Sequence, residues 1–290
     1  MDAPTEDVAM QTTHSTLPGR PLLLASFLML ASVPMAAQAV TPLDTFSARF
    51  GGYIKQFDTQ VRADNATVQG SEVDLDRDLD LGQGNAIAYI NMSWRPLDNH
   101  EFGIGYYQDD TSASRQLSRT IEFDGNTYQA NAVVHAENAI DAYEAYYVWW
   151  AANNPNWSLG PRLGLTWYGI DLSLELERDA NGAPVTNHSR GEVSADLPVP
   201  TLGGAWRWVP GGNSNWRFGA DGGWFSLNSS GLDGDVYFAR VGVEWFPWER
   251  WGFSADYTSR RVKIDADKNS FTGNLNFRDS GVRIGVVYRF

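Results

Sequence analysis

Two strands and the turn between them are legible in Ala239-Arg240-Val241-Gly242-Val243-Glu244-Trp245-Phe246-Pro247-Trp248-Glu249-Arg250-Trp251-Gly252-Phe253-Ser254-Ala255-Asp256-Tyr257. Ala239, Val241, Val243 and Trp245 alternate with Arg240, Gly242, Glu244 and Phe246. After the turn, Trp251, Phe253, Ala255 and Tyr257 alternate with Gly252, Ser254 and Asp256. Successive side chains of a strand point to opposite faces, so each segment has one apolar face and one small or charged face. The period runs on to the C-terminus, where Val282, Ile284, Val286, Tyr288 and Phe290 alternate with Arg283, Gly285, Val287 and Arg289. Upstream it recurs in Phe46 to Phe57, Ala86 to Arg95, Glu101 to Tyr107, Arg162 to Tyr168, Thr201 to Trp208 and Trp216 to Trp224. Tyr143 to Trp150 is apolar on both faces, and only Glu144 indicates its phase. The count predicts ten strands, with eight or twelve as alternatives.

Alternation alone would also suit a soluble sandwich; the tryptophans separate the two. Ten of the twelve lie in or beside four short connections, Pro96 to His100, Ala151 to Asn156, Pro210 to Asn215 and Pro247 to Arg250. Aromatic residues gathered at one end of the strands form a girdle at one membrane interface. The other two, Trp167 and Trp224, follow Trp157 and Trp216 by ten and eight residues on the same faces. At ~3.3 Å per residue and a tilt of ~40° this is a climb of about 20 to 25 Å, the height of the apolar band of an outer-membrane barrel. The opposite connections are longer and polar: Asp58 to Gly82, the tip at Asp124-Gly125-Asn126, Glu177 to Asp196, Asn228 to Asp235 and Asp265 to Asn276. Short turns then face the periplasm and long loops the outside. The pattern predicts an all-β, antiparallel, up-and-down transmembrane barrel, with Ser112 to Glu137 protruding as a hairpin above the membrane.

Composition agrees. The formal charge of -13 sets nucleic acid aside as a partner, and the lack of cysteine removes disulfides, thiolate metal sites and a cysteine nucleophile. Arg20 precedes a 13-residue apolar stretch, Pro21 to Val33, and then Ala37-Gln38-Ala39, which read as a signal-peptide core and its cleavage site. We expect residues 1–39 to be a cleaved leader, translated from Met1 or Met10, and residues 40–290 to be the exported barrel, with 32 acidic against 21 basic residues.

The signal, the alternating segments, the aromatic turns and the ending Val286-Val287-Tyr288-Arg289-Phe290 resemble Gram-negative outer-membrane β-barrel proteins over residues 46 to 290. Val73-Asp74-Leu75-Asp76-Arg77-Asp78-Leu79 and Trp245 to Gly252 are similar to a group of small proteobacterial barrels without an assigned activity. The resemblance implies residence in the outer membrane, among its lipids and lipopolysaccharide. It further implies that Tyr288 and Phe290 form the assembly signal read by the barrel-assembly machinery, and that periplasmic chaperones are partners. A monomer is expected.

The polar strand faces collect Arg49, Arg95, Glu101, Glu144, Arg162, Arg207, Arg217, Asp221, Arg240, Glu244, Asp256, Arg260, Arg283 and Arg289. Facing lipid, charges near the midplane would cost about 2 to 4 kcal/mol each, so they are expected to point into the lumen. Ten strands enclose little more space than side chains can fill. The interior is therefore read as a salt-bridged core or a narrow pore for small, anionic solutes, and the outer loops leave a receptor or adhesin role open.

An outer-membrane hydrolase is the sharper alternative. An omptin-like protease needs paired acids and a histidine at the outer rim; Asp109, Asp110 and Asp141 could supply acids, and only His135 and His188 lie near outer loops. Asn187-His188-Ser189 is superficially similar to the His and Ser of a lipid A deacylase, but adjacent residues cannot place a base on their own nucleophile. The ladder Glu72, Asp74, Asp76, Asp78 and Asp80 fails as a calcium loop, with Leu79 where glycine is required and Asn85 where glutamate is, and reads as a strand-period acidic face. The expectation is no catalytic residue, no cofactor and no metal.

Overall fold

The computed structural model describes residues 40–64, 71–79, 81, 86–185, 190–211, 214–229, 232–268 and 271–290. Its strands are β1 (Phe46–Asp64), β2 (Val73–Asp74), β3 (Ala86–Leu97), β4 (His100–Gln116), β5 (Ile121–Phe123), β6 (Asn126–Tyr128) and β7 (Val133–Trp149). They continue as β8 (Ala152–Asn153), β9 (Trp157–Arg178), β10 (Arg190–Trp208), β11 (Trp216–Ser229), β12 (Leu232–Trp245), β13 (Trp251–Lys268) and β14 (Phe271–Arg289). All but the short β2, β5, β6 and β8 pair antiparallel with their neighbours in one ring of ten. The ring closes where β14 pairs with β1, from Ser47 opposite Arg289 to Asp64 opposite Thr272. This is the ten-stranded up-and-down barrel expected.

The face assignment explains the wall. Phe50, Ile54, Ile104, Leu163, Leu202, Val241, Phe253 and Ile284 are exposed, while their chain neighbours on the other face are buried or half-buried. A belt of exposed apolar side chains on a closed sheet is stable only against lipid. At the short-turn end Trp216 stacks on Trp245, and Trp245 on Phe253, each with ring centroids 5.9 Å apart. Trp150 does not belong to this girdle. It is fully buried, and its indole nitrogen donates to Glu101 Oε2 at 3.1 Å, because the parity set by inward Glu144 turns it into the lumen.

The far ends depart from expectation in three places. Two of the connections read as long loops are largely strand: in Asp265 to Asn276, β13 and β14 stay paired to Lys268 opposite Phe271, and in Asn228 to Asp235, β11 and β12 stay paired to Ser229 opposite Leu232; β1 also continues to Asp64. Ladder pairing satisfies backbone groups that a loop would leave to water. Second, Ser112 to Glu137 does not project as one hairpin. β4 and β7 pair only as far as Gln116 opposite Val133, and β5 and β6 form a separate two-stranded sheet around a turn with positive φ at Asp124 and Gly125. Leu117, Ile121, Phe123 and Tyr128 are buried against the inward side chains Val134, Leu172 and Leu174. The Tyr128 hydroxyl donates to Leu174 O at 2.9 Å and accepts from the Gly191 N–H at 3.0 Å. Apolar side chains above the membrane have no lipid to face, so this tip folds inward as a lid.

Third, the acidic ladder is not a strand. Beyond Asp74 the chain turns, with the Asp78 N–H donating to Asp74 O at 2.8 Å and the Arg77 N–H to Asp74 Oδ1 at 2.9 Å. Val73, Leu75, Leu79 and Leu81 are buried under the lid, so the alternating leucines are anchors; Asp80 lies outside the described residues. At the other end the segment before β1 enters the lumen. Val40 and Leu43 are buried, the Val40 N–H donates to Ser214 O at 3.1 Å, and Leu43 packs on Tyr146, Val148, Trp150 and Ala205.

Candidate functional site

The charged interior is built by parity: once one inward residue of a strand is known, every second residue joins it. Nearest the short turns, Glu244 on β12 accepts from Arg49 Nε of β1 at 2.5 Å and from Arg217 Nε of β11 at 2.6 Å. Arg49 and Glu244 lie on strands that do not pair with each other, so their bond crosses the lumen. Arg217 also holds Asp44 of the inserted segment at 2.6 Å. Arg289 bonds Glu249 O at 2.8 Å and Arg95 bonds Asp44 O at 3.1 Å, tying the same end.

One level up, Asp221 takes Arg207 Nη1 at 2.7 Å and Arg240 Nε at 2.8 Å, and Asp256 takes Arg283 Nε at 2.8 Å. Glu144 takes Arg162 Nη2 at 2.7 Å and Arg260 Nη2 at 3.3 Å. The Phe238 ring lies between those two arginines, with guanidinium carbons 4.8 and 4.9 Å from its centroid. Such contacts offset part of the desolvation cost of a buried cation.

The next layer contains groups beyond the fourteen charges expected in the lumen, and it takes in Asp109, which was read as a candidate acid of the outer rim. Asp279 on β14 accepts hydroxyls from Tyr53, from Tyr107 at 2.5 Å and from Tyr168 at 3.0 Å, and Arg260 Nη1 donates to the Tyr168 oxygen at 2.8 Å. Lys55 pairs with Asp109, both almost fully buried, just beyond the point where β3 stops pairing with β1 at Ile54. Asp279 lies four residues from Arg283, Lys55 six from Arg49 and Asp109 eight from Glu101, all even spacings from inward charges already recognised, so parity could have found them. The spaces left between these layers are small. One of about 50 Å³ lies beside Arg49, Asp221 and Asp256, and one of about 30 Å³ beside Glu144 and Asp279. Each has room for water and not for a solute.

One grouping that the sequence reading did not foresee lies on the outer wall. Ser114 on β4 faces His135 on β7, with Oγ to Nδ1 at 2.9 Å; His135 Nε2 is 3.5 Å from Glu137 Oε1, and Ser114 Oγ donates to Glu177 Oε1 at 3.2 Å. Hydroxyl, imidazole and carboxylate thus come from neighbouring strands, although His135, Glu137 and Glu177 remain 31%, 54% and 42% exposed. Asp110 is also outward and exposed, and Asp141 accepts from the Tyr106 hydroxyl at 2.9 Å, so neither acid faces His135. His188 and the leader lie outside the described residues. Tyr288 packs on Trp251 with ring centroids 4.9 Å apart, and Phe290 is 67% exposed while its backbone exchanges two hydrogen bonds with Phe46.

A closed ten-stranded antiparallel wall with an apolar outside, aromatic girdles and a charged inside is the fold of an outer-membrane β-barrel. Among solved structures the chain is similar to the outer-membrane protease OmpT from Escherichia coli, with a TM-score of 0.58 at 12% identity, covering 86% of this chain and 98% of that one. Lower similarities are found to the toluene transporter TodX of P. putida (TM-score 0.34, 10% identity, 86% and 91% covered) and to Neisserial surface protein A (TM-score 0.30, 12% identity, 85% and 97% covered). No family model and no curated sequence matches the chain.

Proposed function

We propose that this protein is an integral barrel of a Gram-negative outer membrane with a sealed interior, serving as a structural wall element and neither as an open pore nor as an enzyme. The observation that carries the reading is the layered interior: cross-lumen pairs leave cavities of about 50 and 30 Å³, with a lid packed above and the Val40 to Thr45 segment inserted below. Conduction requires a continuous polar path, and every arginine on the expected path is committed to a carboxylate, carbonyl or phenol oxygen. The exposed apolar belt supports the membrane placement.

Planar-bilayer recording of the refolded barrel tests the sealed lumen, and silence is expected. Steady anion-selective steps, weakened by Arg162→Gln or Arg240→Gln, would restore the pore reading. The Ser114, His135 and Glu137 grouping is the one observation that favours a hydrolase. Cleavage of peptide or lipid ester by the purified barrel, lost on Ser114→Ala or His135→Ala, would overturn the non-catalytic reading.

A further inference from the structure

Two hydroxyls of the charged interior stand without a partner. The oxygens of Tyr89 and Ser254 are buried, and among the described residues neither makes a hydrogen bond. Register brings them together. Tyr89 on β3 pairs with Gly51 on β1, Gly51 with Gly285 on β14, and Gly285 with Ser254 on β13. Two glycines in one row leave no side chain between the tyrosine and the serine, so the Tyr89 hydroxyl reaches over Gly285, where an added Cβ would stand 2.9 Å from its oxygen. Both residues line the space of about 50 Å³ described above. A buried hydroxyl left unbonded is costly, and a bond between these two would use only one of their two protons.

The wall around that space is short of negative charge. Glu244 and Asp221 each serve two arginines and Asp256 serves one, so five guanidinium groups meet three carboxylates there. Neighbouring groups do not close the difference. Arg289 lies 3.8 Å from Asp44, the second carboxylate on Arg217, and Arg95 lies 3.9 Å from Asp98 at the mouth, so each of these pairs cancels. In the layers above, Arg162 and Arg260 balance Glu144 and Asp279, and Lys55 balances Asp109. Counting Glu101, which is bonded to the Trp150 indole, still leaves a surplus of one positive charge. Donors are in surplus too. The bonds of Arg240 and Arg283 to carboxylates run through Nε and Nη2, leaving Nη1 of each without a hydrogen bond among the described residues. Free hydroxyl and guanidinium protons beside an unmatched positive charge fit an occupant that only accepts and carries one negative charge. A monatomic anion needs little more room than the water such a space admits.

We propose that Tyr89, Ser254, Arg240 and Arg283 hold one halide ion, chloride in the protein's own surroundings, inside the barrel, where it completes the charge balance of the core. The site rests on the sealed lumen argued above, so the ion enters as the barrel folds. The full barrel is refolded in sodium bromide or in sodium gluconate, checked by its heat-modifiable gel mobility, and crystallised. Anomalous scattering should give a bromide peak between the Tyr89 and Ser254 hydroxyls after refolding in bromide, and none in Tyr89→Phe/Ser254→Ala. In solution the urea midpoint of the wild type should be higher in sodium chloride than in gluconate at equal ionic strength. The rise should be about 0.9 M at a hundredfold excess of chloride over its dissociation constant, and the double variant should lose most of it. A wild-type map with water only at this place would overturn the site. Equal wild-type midpoints in the two salts would overturn it as well, because a peak would then report binding at crystal concentration only. Both wild-type measurements decide the matter even where the double variant fails to refold. Soaking bromide into crystals of gluconate-refolded barrel separates the site from the sealed lumen. A peak by both routes would keep the site and sink the seal, whereas no peak by either route would sink the site alone.

Discussion

Glu244→Gln is the most informative single change in the interior. The carboxylate receives Arg49 Nε and Arg217 Nε at 2.5 and 2.6 Å, and Glu244 is buried. Arg217 would keep Asp44 at 2.6 Å, but Arg49 would be left with the neutral Asn91 Oδ1 at 3.3 Å. Removing one partner of a buried pair costs about 3 to 5 kcal/mol. Glutamine retains one acceptor oxygen, which places the expected loss near the low end, about 3 kcal/mol. With a urea m-value of about 3 kcal/mol/M, the unfolding midpoint of the refolded barrel should fall by about 1 M. Arg49→Gln made on top of Glu244→Gln should recover part of the loss, because it removes the stranded cation; the double-mutant cycle measures that coupling directly. A midpoint within experimental error of wild type for Glu244→Gln would mean that the cross-lumen bond contributes nothing, and the sealed-core argument would lose its energetic basis.

Further outcomes follow from other parts of the molecule. Under the lid, burial works against the Asp78 carboxylate, but hydrogen bonds from Arg119 of the lid and from Arg77 outweigh it and hold its pKa down to about 2. A depressed carboxyl stabilises the folded form above its ordinary value near 3.8 and loses that contribution as pH falls toward 2, so lid proteolysis should accelerate across this window in wild type and not in Asp78→Asn. Phe290→Ala removes an exposed ring while leaving the backbone bonds to Phe46, so yield in the membrane should drop several-fold while the urea midpoint of refolded protein hardly moves; equal yields would count against the assembly-signal role. In Gly285→Ala the new Cβ would run into the Phe50 carbonyl oxygen, a backbone atom that no rotamer change can move, and the heat-modifiable band should be lost or reduced.

The wall was legible because a strand in a one-layer barrel has only two faces, and one charged residue such as Arg240 or Arg283 settles the phase of its whole strand. Trp150 was misplaced by judging residue type before parity: a tryptophan beside a turn suggests a girdle, but its even number, one residue past the end of β7, puts it with Glu144 and Tyr146. The lid could not be read from period. Ile121, Phe123 and Tyr128 alternate as any hairpin does, and only their contacts with Leu172 and Leu174, some fifty positions away, turn them inward. Ser114 and His135 met for the same reason, since the pairing of β4 with β7 sets their register and neither local sequence contains it.

The seam between β1 and β14 carries a consequence for how the molecule comes into being. Its paired residues are more than two hundred positions apart in the chain, whereas every other long pairing of the wall joins strands adjacent in the ring order through a local connection. Contacts that close the longest loop form last and slowly, so until that moment two edge strands of nearly twenty residues stand with unpaired backbone groups. An open edge of that length templates aggregation. Gly51 opposite Gly285 brings the two backbones close once they meet but does nothing to shield them beforehand. The need for escort during biogenesis is thus greatest for the strand that ends at Phe290, and it is a property of the ring's closure rather than of any one residue along it.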